Sequence, residues 1–247
     1  MSFLHISSVD FAYPQQRKVV NGVSLQLGPG EIHCLIGRSG CGKTTVLKLA
    51  AGLLIPQMGE IHLEETRVQA PVPEMGFVFQ SPTLLNWLSV LDNVLLPVSL
   101  HRKVTVSDHN YASELLDQVG LSEKIHDYPQ HLSGGQQSRV AIARALITHP
   151  KILFMDEPFA ALDAITREEL QSEFLNVCKR QGTAALFVTH DMREAVYLAD
   201  QVSLMHQGKI KSQLRIELDR PRASTIRYSP QFNVLCENLH QTMESLP

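Results

Sequence analysis

The pattern of apolar and polar residues changes along the chain, and each pattern predicts a different element. Val23, Leu25 and Leu27 alternate with polar neighbours and precede a turn at 28–31, which predicts a half-buried strand in an antiparallel N-terminal portion. Three other short segments are largely apolar, as expected for parallel strands that are buried on both faces. These segments are residues 32–36, 152–155 and 184–188.

Other segments repeat apolar residues every three or four positions, which is the period of a helix with one buried face. The repeating positions are Val46, Leu49, Ala50 and Leu53 in one segment, and Ala112, Leu115, Leu116 and Val119 in another. Gly120 follows the second segment as a helix stop. The pattern therefore predicts an α/β core, a mainly helical insertion between Pro82 and Pro150, a hairpin at 202–214 and a short tail.

Composition narrows the classes of protein. The chain has 247 residues, of which 44% are hydrophobic, enough for one large core or a core with a subdomain. Its net charge of −3 provides no basic field, so nucleic acid is not expected as a partner. No run of eighteen apolar residues is present, and residues 1–10 lack the features of a signal peptide. The four cysteines have no metal-ligand spacing, which favours scattered thiols in a reducing cytoplasm.

The strongest chemical motif is GRSGCGKTT at residues 37–45. It has the spacing Gly-x-x-x-x-Gly-Lys-Ser/Thr and lies between a predicted strand and a predicted helix. In such a loop the backbone N–H groups surround phosphates, Lys43 adds a positive charge and the Thr44 hydroxyl ligates Mg²⁺. The motif predicts a nucleotide site.

Two carboxylates follow the apolar run 152–155. Asp156 lies at the carboxyl end of this predicted strand, where open α/β sheets bind their ligands. A carboxylate beside a buried strand is costly unless a cation or a donor meets it, so we expect Asp156 to lie on the Mg²⁺ side of the nucleotide. Glu157 is expected to point elsewhere and to polarise the attacking water as a general base.

Two further polar residues are expected on the same rim. His190 follows the apolar run 184–188, and Gln80 follows the predicted strand MGFVFQ. His190 is a candidate contact for the γ-phosphate, and Gln80 could reach Mg²⁺ or the attacking water. Asp191 and Glu194 are expected to form a capping box at the start of the next helix.

A second glycine-rich segment, LSGGQQSRVAIARAL, occupies residues 132–146. Ser133 and Gln136 fit a capping box at a helix N-terminus. Gly134 and Gly135 are less easily explained, because glycine costs a helix up to about 1 kcal/mol relative to alanine. Bare N–H groups at a helix N-terminus can approach an anion closely, so the pair suggests a second phosphate site.

These motifs occur in a fixed order along the chain: residues 37–45, Gln80, LSGGQ at 132–136, FMDEP at 154–158, AALD at 160–163 and His190. In this order and spacing they resemble the ATPase subunit of ATP-binding cassette (ABC) transporters. The resemblance implies an α/β fold with a P-loop NTPase (RecA-like) core, an antiparallel β portion and an inserted α-helical subdomain. It also implies that two subunits pair head to tail, so that the LSGGQ signature of one chain closes over ATP in the P-loop of the other.

Further roles come only from this resemblance. Tyr13, taken to precede the first strand pair, is expected to stack on adenine, and Asp163 to lie in a loop that crosses the dimer interface. Ala160 stands where the family often has serine or glycine, and the Cys41 thiol is expected close to bound phosphate. The motifs above and the resemblance together give the expected nucleotide-binding residues, which are Tyr13, Gly37, Arg38, Ser39, Gly40, Cys41, Gly42, Lys43, Thr44, Thr45, Ser133, Gly134, Gly135, Gln136 and Asp163. The implied catalytic residues are Glu157, His190 and Gln80, and the implied metal ligands are Thr44, Gln80 and Asp156.

The expected domain organisation is an ATPase domain at 1–224 and a tail at 225–247, the tail being too short for an added regulatory domain. The ATPase domain divides into a core at about 1–82 and 150–224 and a helical subdomain at about 83–149.

An unusually apolar segment follows Gln80. Leu88, Leu91 and Leu95 are expected in the core, whereas Trp87 is a candidate docking site for a membrane subunit. The implied partners are an integral-membrane permease, a second ATPase subunit in a homodimer or pseudo-symmetric pair, and an extracytoplasmic solute-binding protein. The implied cofactors are ATP and Mg²⁺, at the cytoplasmic face of the membrane. The sequences of the motifs also resemble those in the ATPases of importers for nitrate, sulfonates, taurine or thiamine precursors.

Three alternatives stay open at this point. An ABC ATPase without a transporter, such as one for iron–sulfur assembly, is compatible with the length, although the apolar segment after Gln80 favours a permease. An exporter ATPase has the same motifs. A small-molecule kinase on a P-loop fold would not explain Gly134 and Gly135.

Overall fold

Two β-sheets form the framework of the computed structural model, which describes residues 3–15 and 17–246. The strands of the first sheet are β1 (Leu4–Phe11), β2 (Val20–Leu27), β4 (Met58–Leu63) and β5 (Thr66–Arg67). They are antiparallel, in the order β2-β1-β4-β5. Val23, Leu25 and Leu27 are buried and the polar residues between them are exposed, so the predicted antiparallel portion is confirmed.

The second sheet has six strands. They are β3 (Ile32–Ile36), β6 (Met75–Val78), β7 (Ile152–Asp156), β8 (Ala184–Val188), β9 (Gln201–His206) and β10 (Lys209–Arg215). The order is β10-β9-β3-β8-β7-β6, and only the β9–β10 pair, which is the predicted hairpin, is antiparallel. All residues of β3, β7 and β8 are buried, as the apolar runs predict for strands covered on both faces.

This larger sheet separates two apolar cores. Along β7, Leu153 and Met155 face the core shared with the helices, whereas Ile152 and Phe154 face the core between the two sheets. The alternation follows from the pleat of the strand, which directs successive side chains to opposite faces.

Seven helices are found in the described residues: α1 (Lys43–Ala50), α2 (Val90–Ser99), α3 (Val106–Gln118), α4 (Gly134–Leu146), α5 (Ala164–Gln181), α6 (Met192–Leu198) and α7 (Pro230–Glu244). The predicted helical insertion contains α2, α3 and α4. A capping box of Thr105 and Asp108 begins α3, and Gly120, with φ +68°, lies just beyond its end as predicted.

Some details of the prediction were wrong. Helix α1 ends at Ala50, and Leu53 lies beyond it with 41% of its surface exposed, because Gly52 with φ +71° turns the chain away. Leu88 is half-buried and Leu91 lies only at the edge of the core, although Leu95 is buried as expected.

The predicted short tail contains a helix of 15 residues, α7. Ser229 caps it and Pro230 occupies its first turn. Phe232 and Leu239 are fully buried in the same core as the helical insertion, and α7 packs against α6. The C-terminal segment is therefore part of the packed structure.

Candidate functional site

The carboxyl ends of four neighbouring strands open into one cavity of about 600 Å³. The P-loop follows β3, Gln80 follows β6, Glu157 follows β7 and His190 follows β8. The cavity is lined by Tyr13, Val19, Gly37, Ser39, Gly40, Gly42, Lys43, Thr44, Thr45, Gln80, Glu157 and His190. The structure therefore brings together side chains that the sequence separates by more than a hundred residues.

Two glycines shape the P-loop. Gly42 precedes α1 with φ +104°, and a Cβ there would lie 2.6 Å from the carbonyl oxygen of Val19. Gly37 has φ +156°, and its Cβ would lie 2.3 Å from the Met205 oxygen. Because both positions exclude a side chain, the loop leaves its N–H groups bare at the N-terminus of α1, the arrangement that binds phosphate.

Lys43 is held across the loop. Its Nζ donates hydrogen bonds to the Gly37 carbonyl at 2.7 Å and the Arg38 carbonyl at 3.1 Å. Both partners are neutral, and none of the ion pairs among the described residues includes Lys43. Its positive charge is therefore available to an anion in the cavity.

Thr44 and Asp156 form a cation-compatible pair beside the loop. The Thr44 hydroxyl donates to Asp156 Oδ1 over 3.0 Å. Burial raises the pKa of the Asp156 carboxyl, with Glu157 acting in the same direction, while the Thr44 hydrogen bond opposes the rise. A bound divalent cation would offset this cost of burying a carboxylate, and two oxygen ligands are what Mg²⁺ uses beside nucleotide oxygens. The donor set fits Mg²⁺.

Glu157 and His190 meet at the cavity. His190 Nδ1 lies 3.2 Å from Glu157 Oε2. Glu157 has φ +48°, an unusual conformation for a residue with a side chain, and its N–H donates to the Val188 carbonyl at 3.0 Å. This backbone conformation follows directly after β7 and lets Asp156 face Thr44 while Glu157 faces His190. The sequence predicts that the two carboxylates point in different directions, but not which groups they meet.

Tyr13 lies at the edge of the cavity. It follows β1 and precedes β2, so the expectation that it precedes both strands was wrong. Its ring packs edge-on against Phe11 with centroids 5.0 Å apart, and its hydroxyl lies 3.4 Å from Thr45 Oγ1. These contacts hold the tyrosine ring beside the P-loop.

The signature residues begin α4. Ser133 Oγ accepts from the Gln136 N–H at 3.2 Å, and the Ser133 N–H donates to Gln136 Oε1 at 3.0 Å, so the predicted capping box is present. Neither this pair nor Gly134 and Gly135 lines the P-loop cavity within the described chain. The second predicted anion site is thus separate from the first.

Known relatives share this architecture. The sequence profile of the ABC transporter family matches residues 20–160. The chain belongs to the ABC transporter family. A nitrate import ATP-binding protein of Synechococcus elongatus is 43% identical over 228 residues, covering 89% of this chain and 83% of that protein. A taurine import ATP-binding protein of Chromobacterium violaceum is 41% identical over 247 residues, covering 97% and 95%.

Solved ABC cassettes confirm the predicted P-loop NTPase fold. A dimeric cassette in a post-hydrolysis state, bound to ADP and phosphate, superposes with a TM-score of 0.79 at 27% identity. It covers 87% of this chain, and the match covers all of that cassette. In the described residues of this ABC cassette, no helix has the length and apolarity needed to cross a membrane.

Three residues that are expected to bind the nucleotide do not line the cavity, namely Arg38, Cys41 and Asp163. Cys41 is 7% exposed and belongs to the core between the sheets, and its Sγ lies 3.9 Å from Lys43 Nζ. Arg38 accepts a hydrogen bond from Lys43 Nζ through its backbone carbonyl. Asp163 caps α5 by accepting from the Thr166 N–H at 3.0 Å, and this hydrogen bond lowers the pKa of its carboxyl. Asp163 is therefore held as an anion at a helix N-terminus.

Sequence reasoning missed a buried pair behind His190. Asp191 caps α6 as predicted, by accepting from the Arg193 and Glu194 N–H groups. The second half of the predicted capping box was wrong, because the Asp191 N–H already donates to Thr189 Oγ1 and the Glu194 carboxylate turns inward to Thr189. The sequence pattern is the same whether the carboxylate three residues after an N-cap returns to the N-cap or turns into the core. Only the apolar composition of the following helix indicates that Glu194 is buried.

Proposed function

We propose that this chain is the ATP-binding and ATP-hydrolysing subunit of an importer, and that it drives a small solute through a separate membrane permease. The observation that carries the proposal is the convergence of the P-loop, Gln80, Asp156, Glu157 and His190 at one rim. The relatives are import proteins for nitrate, aliphatic sulfonates and taurine, which favours import over export.

The bound nucleotide is recognised mainly by backbone and by charge. The bare N–H groups around Gly40 and Gly42 surround the phosphates, and Lys43 compensates their negative charge. Tyr13, whose ring is braced by Phe11, stacks on the adenine. These contacts are made to both ATP and the transition state, so they provide affinity rather than rate.

Thr44 and Asp156 would hold the Mg²⁺ of the nucleotide, and Gln80, which follows the neighbouring strand β6, would contribute a further ligand. When bound, the ion neutralises charge that develops on the phosphate oxygens. An ion held there would favour the ionised form of Asp156, the carboxyl whose pKa burial otherwise raises.

Glu157 and His190 perform the chemical step. Glu157 accepts a proton from the attacking water as general base, while His190 contacts the γ-phosphate. The 3.2 Å separation of His190 Nδ1 and Glu157 Oε2 keeps both groups directed at the same point of the cavity. Because these contacts act on the reacting atoms, their loss is expected to reduce the rate more than the affinity.

The signature completes the site in a second copy of the chain. Within the described chain, Gly134 and Gly135 leave their helix N–H groups free outside the P-loop cavity of their own chain, while the N–H groups of Ser133 and Gln136 are used in the capping box. In a head-to-tail pair each signature meets the γ-phosphate held by the partner, and Asp163 lies at the same interface. A two-fold arrangement creates both sites at once.

The permease docks on the helical subdomain. Trp87 is 74% exposed just after Gln80, so a partner that binds Trp87 can sense the nucleotide site. We accordingly infer that the chain acts at the cytoplasmic face of the membrane, with a solute-binding protein on the other side. Co-purification with an integral-membrane protein on expression beside the neighbouring genes tests this docking.

The ATPase domain comprises 1–224, with a core at 1–82 and 150–224 and a helical subdomain at 83–149. Residues 225–247 follow this domain, and helix α7 within them packs against α6.

Replacement of Glu157 by Gln tests the proposed chemistry. ATP binding should be kept, while hydrolysis should fall on the order of 10²–10⁴-fold, the usual contribution of a general base. With hydrolysis blocked, ATP should hold two chains together in size-exclusion chromatography. Lys43→Ala is the matched comparison and should lose binding and turnover together. A Glu157→Gln variant that hydrolyses ATP at the normal rate, or that binds ATP and stays monomeric, would contradict the proposal.

A further inference from the structure

The segment behind His190 contains a buried carboxylate that the proposed mechanism does not use. We infer that Glu194, acting through Thr189, is a positioning residue that fixes His190 for hydrolysis. This inference rests on the proposed function, because it assumes that His190 contacts the γ-phosphate. It adds two residues that do not themselves reach the nucleotide.

Thr189 connects three parts of the structure. Its hydroxyl donates to Glu194 Oε2 at 2.8 Å and accepts from the Asp191 N–H at 3.1 Å. Its own N–H donates to the Leu35 carbonyl of β3 at 3.3 Å. The residues on both sides of His190 are thereby tied to the first turn of α6 and to the strand that leads into the P-loop.

His190 itself has little else to hold it. Its side chain is 69% exposed, and its recorded polar contact is the one with Glu157 at 3.2 Å. An exposed ring has many rotamers open to it, so its backbone must be fixed if the ring is to meet the substrate reproducibly. The Thr189–Glu194 pair fixes that backbone from the buried side.

The energetics argue against a purely structural role for Glu194. The residue is 6% exposed, and its Oε1 has no hydrogen-bond partner among the described residues. A buried carboxylate with a free oxygen is costly, and an apolar side chain of similar size would serve packing better. Such local costs are expected where a fold has been adapted to a function.

The test compares isosteric substitutions at Thr189. Thr189→Val removes the hydroxyl and keeps the shape, so kcat for ATP hydrolysis should fall on the order of 10- to 100-fold with little change in KM, as expected for a displaced catalytic group. Thr189→Ser keeps the hydroxyl and should retain kcat within about three-fold of the unmodified protein. The conservative variant thus separates loss of the hydrogen bond from a general disturbance.

A double variant separates positioning from stability. Thr189→Val combined with Glu194→Leu replaces both side chains of the pair by apolar groups, so that only the half-buried Asp191 N–H loses its acceptor, and the Tm should fall less than in Thr189→Val alone. Its kcat should nevertheless fall as far as that of Thr189→Val. Parallel losses of Tm and kcat in Thr189→Val and in Thr189→Ser would show a structural role and overturn the inference.

His190→Ala, measured in parallel, distinguishes the two levels of the hypothesis. If His190→Ala keeps the normal kcat, the proposed role of His190 has failed. If His190→Ala loses activity while Thr189→Val and the double variant keep it, the proposed function stands and the inference is wrong. In agreement with the inference, adding Thr189→Val to His190→Ala should cause no further loss.

Discussion

At the scale of single residues, the two signature glycines differ in their surroundings. A Cβ on Gly134 would meet no described atom within 4 Å, whereas a Cβ on Gly135 would lie 2.9 Å from Leu162 Cδ2. Gly134→Ala should therefore leave the free energy of unfolding unchanged or slightly raised, since alanine favours a helix. It should weaken ATP-dependent pairing in a Glu157→Gln background, because the methyl group would stand between the N–H groups and the partner's phosphate.

Thermal unfolding and size-exclusion chromatography with and without ATP measure these two effects. Ser138→Ala is a matched control on the same helix, since its hydroxyl donates to the Gly134 carbonyl and its side chain is buried. If two chains of the Gly134→Ala variant pair in the presence of ATP as well as those of Ser138→Ala do, the composite site does not explain why residue 134 is a glycine.

The sequence alone predicts residues whose chemistry requires a fixed spacing. Gly37, Gly42, Lys43 and Thr44 are recognisable because a phosphate loop needs two side-chain-free positions and two specific polar groups at set intervals. Glu194 is not recognisable in this way. Whether its carboxylate returns to Asp191 or turns to Thr189 depends on tertiary packing, which local spacing does not encode.

At the scale of elements, α7 is a helix in the segment for which we predict only a short tail, although the sequence contains helix signals there. Phe232, Leu235, Leu239 and Met243 recur at helical spacing after Ser229 and Pro230, a helix start signal. By contrast, the end of α1 was misplaced because apolar spacing continues to Leu53 while Gly52 has already ended the helix. Periodicity identifies elements better than it locates their ends.

Helix α7 should contribute strongly to stability through one side chain. Phe232 is fully buried, and the Arg193 guanidinium of α6 lies 5.0 Å from its ring centroid. Phe232→Ala should lower the free energy of unfolding by about 3–5 kcal/mol, since it removes a buried aromatic ring and leaves a cavity. Val234→Ala, at a residue 54% exposed on the same helix, should change it by less than about 0.5 kcal/mol in denaturant titration. Equal effects of the two variants would show that α7 does not depend on its buried face.

At the scale of the whole molecule, strand order could not be derived from local patterns. Strand β3 pairs with β8 and β9, more than 140 residues later, and nothing in the apolar run 32–36 specifies these partners. The meeting of Lys43, Asp156 and His190 was nevertheless predictable, because parallel strands end at one edge whatever their order. The site was thus easier to foresee than the sheet that builds it.

At the same scale, two buried groups should make opposing contributions to the pH dependence of stability between about pH 5 and 6.5. Burial raises the pKa of Glu194 from 4.5 to about 7, with Asp191 and Glu157 acting in the same direction and Thr189 and Arg167 opposing. The folded state therefore keeps the proton of Glu194 to a higher pH than the unfolded state does. The stability that this proton binding contributes is lost as pH rises through about 7. Burial also lowers the pKa of His33 from 6.5 to about 4, so its contribution is lost as pH falls towards 4.

Variants of Glu194 and His33 should reveal how each residue changes the dependence of the free energy of unfolding on pH. Each shift corresponds to about 3 kcal/mol across its full window, at about 1.4 kcal/mol per pH unit. Relative to the unmodified protein, Glu194→Gln should gain stability as pH rises from 5 to 6.5, and His33→Gln should gain it as pH falls over the same interval. Urea unfolding at several pH values measures both differences, and any pH-independent offset from repacking cancels. Differences that stay constant with pH in both variants would show that neither group titrates between the folded and unfolded states as its burial requires.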